Sequence, residues 1–203
     1  MIEIKNIYKK FGKLEVLNNI NLSFKKGECI ALIGPNGCGK TTLIKSILGM
    51  VIPTKGDILF DQKSILKEFE YRENIGYMPQ IGRYPDYMTV GQIIEMIKKI
   101  RNSEQVLDED LIKSFELEKI VDKQMRTLSG GTTQKVSATL AFLFNPEVLI
   151  LDEPTAGLDP LASEILKDKI IKEKEKGKHI LITSHLLSEL DDLRTKIIYK
   201  REG

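Results

Sequence analysis

The segment Gly34-Pro35-Asn36-Gly37-Cys38-Gly39-Lys40-Thr41 limits what this chain can fold into more than any other, because a loop with that glycine spacing finds its use between a strand and a helix. Both flanks are present. Cys29-Ile30-Ala31-Leu32-Ile33 is short and wholly apolar, as a buried strand is, and from Thr41 to Met50 the residues Leu43, Ile44, Ile47 and Leu48 recur at helical spacing. Glycines let successive backbone N–H groups turn toward one anion without Cβ clashes, and the helix start adds its partial positive charge. The expectation is a phosphate cradle built by Gly34, Pro35, Asn36, Gly37, Cys38 and Gly39. Lys40 then bridges the terminal phosphates, Thr41 places its hydroxyl on Mg²⁺, and Thr42 meets the α-phosphate.

Such a loop needs a carboxylate site, and the apolar run Val148-Leu149-Ile150-Leu151 delivers one at Asp152 and Glu153. Asp152 is expected to hold Mg²⁺ through water, and Glu153 to polarise an attacking water as general base. Two adjacent acids resist ionising together unless a cation is near, which makes the metal part of the expectation. Without the glycine loop, the same pair reads as a helix cap or a loop acid.

The order of elements points to an α/β fold. From Ile2 to Phe24, alternating segments broken at Phe11-Gly12 and Asn18-Asn19 predict antiparallel strands with turns, and Pro53-Thr54-Lys55-Gly56 predicts a turn back into that layer. Residues from roughly 86 to 144 predict a helical lobe, with Ile93, Ile94, Ile97 and Ile100 on one stripe and Val136, Leu140 and Leu143 on another. A third buried strand, His179-Ile180-Leu181-Ile182-Thr183, follows a charged helix, so strands alternating with helices imply a parallel core sheet. The mixed signs of Lys167 to Lys178 predict a solvated helix face.

Charge excludes little else: 31 Lys and Arg against 29 Asp and Glu give a field too weak to argue for nucleic acid as a partner. Cys29 and Cys38 lack companion ligands and read as reduced packing residues. The N-terminus has no leader pattern and no apolar run approaches the ~20 residues of a spanning helix, so a cytoplasmic location is expected, with any membrane role carried by another chain.

Leu128-Ser129-Gly130-Gly131-Thr132-Thr133-Gln134 opens a helix with a hydroxyl and two glycines, a second anion-binding terminus or, read alone, an ordinary Ser cap. One nucleotide cannot readily occupy both termini. The pattern therefore suggests a composite site, with Ser129, Gly130 and Gly131 of one subunit capping a phosphate held by the glycine loop of another. The glycine loop, Gln80, Leu128 to Gln134, Leu151-Asp152-Glu153-Pro154-Thr155, Gly157-Leu158-Asp159 and His185 together resemble, in order and over nearly the whole chain, the motifs of ABC ATPases.

That resemblance implies an ABC ATPase fold: a phosphate-loop NTPase core with a mostly parallel sheet, an antiparallel β-subdomain and a helical subdomain, all within one domain spanning 1–203. It implies that the chain binds ATP and Mg²⁺ and hydrolyses ATP as a homodimer. Phe11 would stack on adenine with Val16 beside it, a contact that accepts several bases and so leaves GTP open as well as ATP; Phe11 as plain core is the alternative. Gln80 would touch Mg²⁺ and the attacking water, His185 would contact the γ-phosphate and orient Glu153, and Asp159 would couple the two sites. A membrane permease would dock on Ile81–Val90, whose Tyr84, Tyr87 and Met88 suit a partner groove, which places the chain on the inner face of the membrane. The alternative packing role for those residues is to join the two lobes.

One departure stands out: Thr132 replaces the glutamine that usually follows the two glycines. With Gly76-Tyr77-Met78-Pro79-Gln80-Ile81-Gly82-Arg83-Tyr84 and Ala141-Phe142-Leu143-Phe144-Asn145-Pro146, this variant is most similar to the ATPase subunit of the transporter that helps mature the copper centres of nitrous oxide reductase. A soluble ATPase that remodels a protein or nucleic-acid complex is the competing reading. Such proteins usually carry paired cassettes, coiled-coil insertions or basic arms, none of which stands here.

Overall fold

The structure is a computed structural model that describes residues 2–25, 27–101, 106–185 and 196–199. Strands β1 (Ile2–Phe11), β2 (Leu14–Ser23), β4 (Lys55–Phe60) and β5 (Lys63–Ser64) form an antiparallel sheet in the order β2-β1-β4-β5. Strands β3 (Cys29–Ile33), β6 (Ile75–Met78), β7 (Val148–Asp152), β8 (His179–Ser184) and β9 (Lys196–Tyr199) form a parallel one, ordered β6-β7-β8-β3-β9. Helices α1 (Lys40–Ile47), α2 (Val90–Arg101), α3 (Asp110–Ser114), α4 (Gly130–Phe142) and α5 (Pro160–Glu175) stand beside short 3₁₀ turns among the described residues.

The central strands β3 and β7 are buried at every residue because both their faces are covered, and the period-two alternation of side chains sorts them between two cores. Ala31, Leu149, Leu151, Ile180 and Ile182 face α2, α4 and α5. Ile30, Leu32, Val148, Ile150 and Leu181 face α1 and the antiparallel sheet, where Leu43, Ile44 and Ile47 meet Ile2, Ile4 and Ile7. Both cysteines are buried free thiols, as expected.

Four local expectations need correction. Asn18-Asn19 makes no turn, because β2 runs through it; Asn19 takes φ +49 and the pairing with β1 shifts register there, so the asparagine builds a bulge. Lys55 and Gly56 already belong to β4. Ile100 leaves the apolar stripe of α2 and is 70% exposed. The charge run on α5 is solvated only in part: Lys169 and Glu173 are buried, because Asp108 and Asp110 ahead of and within α3 come across to Lys169 while Lys176 and Lys178 close on Glu173.

Candidate functional site

Beyond the carboxyl ends of adjacent parallel strands, the loops after β3, β6, β7 and β8 converge, which is where open α/β sheets place ligands. The glycine loop connects β3 to α1 with Gly37 at φ +84 and Gly39 at φ +98, the left-handed backbone that glycine adopts without strain. Inside it, Lys40 is only 6% exposed. Its Nζ donates to the carbonyls of Gly34 at 2.6 Å and Pro35 at 3.2 Å. A cavity of about 280 Å³ opens beside the lysine, lined by Asn36, Gly37, Gly39, Lys40, Thr41, Thr42, Gln80 and Glu153.

The carboxylates stand across this cavity. Thr41 Oγ1 donates to Asp152 Oδ2 at 3.3 Å, and Thr183 Oγ1 donates to Asp152 Oδ1 at 2.5 Å. Parallel register pairs Asp152 with Thr183, and the same Thr183 hydroxyl accepts the Glu153 N–H at 3.0 Å. Glu153 turns away from the strand at φ +50, costly for a non-glycine residue, and this aims its carboxylate toward the loop after β6. There Gln80 Nε2 donates to Glu153 Oε2 at 2.9 Å. His185 Nδ1 lies 3.7 Å from the same oxygen, beyond hydrogen-bond reach, on a half-exposed side chain. Asp152 is also felt by its neighbour: burial first, and then the negative charge of Asp152, push the Tyr77 hydroxyl up to about 12.

The donor set fits a hard divalent cation. Thr41 and Asp152 already approach each other at the mouth of the loop, and among the described residues no group of three His, Cys, Asp or Glu residues competes as a metal site. One hydroxyl and one carboxylate leave most of an octahedral shell to phosphate and water, as Mg²⁺ requires beside a nucleotide.

Other expected residues stand apart from this cavity. Phe11 ends β1 half exposed, with Lys9 Nζ over its ring at 4.9 Å, and neither it nor the half-buried Val16 lines the cavity. Ser129 serves its own helix: Oγ accepts from Thr132 N at 3.2 Å and shares a 2.8 Å hydrogen bond with Thr132 Oγ1. Neither Ser129, Gly130 nor Gly131 lines the cavity; a Cβ on Gly130 would meet nothing within 4 Å, whereas one on Gly131 would stand 2.7 Å from the Gly157 carbonyl, so the helix start is open on the Gly130 side alone. Asp159 caps α5 by accepting from Ala162 N at 2.8 Å and pairs with Lys135 of α4 at 2.7 Å.

The Ile81–Val90 segment divides in two. Ile81 and Tyr87 are 68% and 72% exposed, with Arg126 over the Tyr87 ring at 4.8 Å. Tyr84 and Met88, by contrast, pack against the helical core, and Tyr84 Oη shares a 2.8 Å hydrogen bond with Ser137 Oγ; helical packing takes their side chains from the expected groove.

Two contributors escape sequence reading. Thr183 looked like the end of a strand, though a hydroxyl closing an otherwise apolar strand is the signal that could have found it. Gln134 is 6% exposed and its Nε2 donates to the Gln80 carbonyl at 2.8 Å; nothing local announces that contact.

Known proteins resemble this chain in sequence and fold. The family model for the ABC transporter matches residues 17–156. The Nod factor export ATP-binding protein I of Burkholderia orbicola is 33% identical over 207 residues, spanning 100% of this chain and 68% of that protein. The phospholipid-transporting ATPase ABCA3 of Rattus norvegicus is 34% identical over 99% of this chain, which spans only 12% of that protein's length. Among solved structures, a dimeric ATP-binding cassette in a post-hydrolysis state, bound to ADP and Pi, superposes with a TM-score of 0.86 at 26% identity, covering 98% of this chain and 94% of that one.

Proposed function

From the premise that the chain belongs to the ABC transporter family of ATP-binding cassettes, we propose that it is the ATP-hydrolysing subunit of a transporter and acts as a dimer that closes on two nucleotides. One observation carries the reading: Lys40, buried at 6% exposure, gives both its hydrogen bonds among the described residues to backbone carbonyls of its own loop, beside an open cavity. A buried ammonium that makes no ion pair among the described residues favours an anion of matching size, and Glu153, which lines the same cavity, leaves room for one. Triphosphate meets that need, with the loop amides around its oxygens and Lys40 at its terminal phosphates.

Hydrolysis then falls to the residues across the cavity. Glu153 takes the proton of the attacking water, and the Gln80 amide holds the carboxylate in the orientation this needs. His185 stands near enough to Glu153 to complete the constellation when the site closes. Mg²⁺, held by Thr41 and Asp152, would neutralise the charge that develops on the phosphate oxygens. Phe11 and Val16 would receive the base. Ser129, Gly130 and Gly131 stand outside the cavity and would reach a nucleotide on a second copy, and the open space at Gly130 supports such a composite site. Asp159, tied to Lys135, links that helix start to the loop following Glu153.

In this reading residues 1–203 form a single cassette with its helical lobe at roughly 86–144. It lies on the inner face of the membrane and drives a separate permease docked on Ile81 and Tyr87. The export ATPases among its relatives favour a transport role, and the Thr132 variant favours the copper-centre maturation transporter of nitrous oxide reductase as its subfamily. Among the described residues no helix is long and apolar enough to cross a membrane. The test is light scattering on Glu153→Gln, where hydrolysis stops but closure does not: MgATP should double the mass. An unchanged mass would overturn the composite site.

A further inference from the structure

Helix α4 touches the loop after β6 along one face. Gln134 donates to the Gln80 carbonyl at 2.8 Å, and Ser137, one turn on, meets Tyr84 at 2.8 Å. Glycine makes the approach possible: a Cβ on Gly82 would stand 2.1 Å from Ser137 Oγ, and one on Gly76 would stand 2.0 Å from the Ala141 carbonyl. Residues at spacings of three and four share a helix face, so 134, 137 and 141 form one continuous seat for β6 and the segment behind it.

Gln134 is the polar member of that seat nearest the acid. Its side chain is 6% exposed, and its Oε1 has no hydrogen-bond partner among the described residues. A buried amide oxygen left unpaired costs free energy, so a methionine of similar volume would serve packing better. What the amide supplies is a hydrogen bond to the backbone of the very residue whose side chain holds Glu153, at 2.9 Å.

Building on the reading of Gln80 and Glu153 above, we infer that Gln134 is a positioning residue for hydrolysis: it fixes the Gln80 backbone and thereby aims the Gln80 amide at Glu153. Because Gln134 lies just over one turn from the Ser129 cap, any displacement of that helix start reaches Gln80 through rigid helix. The geometry of the acid in one site is thus tied to what the same chain's Ser129 meets in the other.

Steady-state ATP hydrolysis by wild type, Gln134→Met, Gln80→Ala and the double variant tests this. Gln134→Met should lower kcat about tenfold, the range of a lost catalytic hydrogen bond, with KM within about twofold. In the Gln80→Ala background it should change kcat less than about twofold, because the side chain it aims is gone. The same loss in both backgrounds, or no loss in either, would overturn the inference. Should Gln134→Met not fold, Gln134→Glu gives a second readout. Its buried acid can donate to the Gln80 carbonyl only when protonated, so its kcat relative to wild type should rise as pH falls from about 8 to about 6; a flat ratio would count against the role. Wild-type protein that does not hydrolyse ATP, or hydrolysis that survives Glu153→Gln, would instead count against the proposed function itself.

Discussion

Two lysines lie buried among the described residues, and they are buried for opposite reasons. Lys169, 4% exposed on α5, has Asp108 Oδ2 at 2.5 Å, Asp110 Oδ2 at 2.8 Å and Glu173 Oε1 at 3.3 Å. Lys40, 6% exposed at the start of α1, has carbonyl oxygens alone among the described residues. Burial works against the charge of Lys169, yet the hydrogen bonds it donates to Asp108 and Asp110 outweigh it and raise the ammonium above its ordinary range. Its charge is already answered within the chain, so the cluster joins α3 and its approach to α5 and leaves nothing for a ligand to do. The charge of Lys40 is not answered by an acid, and that deficit is what a phosphate can fill. Burial of a cation therefore says little until its partners are known.

The sharpest way to break this contrast is to remove each charge in turn. Lys40→Ala should weaken ATP binding about a thousandfold by calorimetry, since the cradle loses the side-chain cation that lines it; unchanged affinity would sink the phosphate assignment. The nucleotide-free melting temperature of Lys40→Met should hold or rise, because an ammonium bonded only to carbonyls among the described residues gives the empty protein little. Lys169→Met should do the reverse, costing about 3 kcal/mol in denaturant unfolding by stranding Asp108, whose side chain is only 12% exposed, and leaving ATP affinity within about twofold.

Acid should expose the same cluster. Burial alone would raise the Glu173 carboxyl, but hydrogen bonds from Lys176 and Lys178 and the charges of Lys178 and Lys169 bring it down from 4.5 to about 2. A carboxylate depressed in the folded state stabilises above its unfolded value and loses that contribution as pH falls through the folded one. Unfolding free energy should therefore drop on the order of 2 kcal/mol between pH 4.5 and 2, and Glu173→Gln should flatten that slope. Smallest of all, Lys176→Ala should cost under about 1 kcal/mol, because Lys176 is 55% exposed and water screens its pairing with Glu173.

The two lysines also mark what the sequence could say. Lys40 was legible because its environment is local: the glycines and the flanking strand and helix all fall within about twenty residues of it. Asp152 and Glu153 were legible for the same reason, as the end of an apolar run. Lys169 was misread as part of a solvated face because its partners lie 59 and 61 residues away, across a fold that no charge pattern reveals. Gln134 was opaque for a stronger reason, since its acceptor is a backbone carbonyl 54 residues distant and any residue type at position 80 offers one. Asn19 shows a third kind of failure: left-handed asparagine signals turns and bulges alike, and only the pairing of β1 with β2 decides between them.

The site's residues stand at the ends of separate strands, and the bonds that assemble it span long stretches of chain: Thr41 meets Asp152 across 111 residues, Gln80 meets Glu153 across 73, and Thr183 meets Asp152 across 31. Each motif is written locally and is inert alone, and the cavity exists only once the sheet is fully paired. A ligand that binds only the finished arrangement acts as a folding checkpoint, adding about 2.7 kcal/mol at a hundred times its dissociation constant to complete chains and nothing to partial ones. Cellular nucleotide would then govern how many cassettes survive proteolysis as well as how fast the survivors turn over.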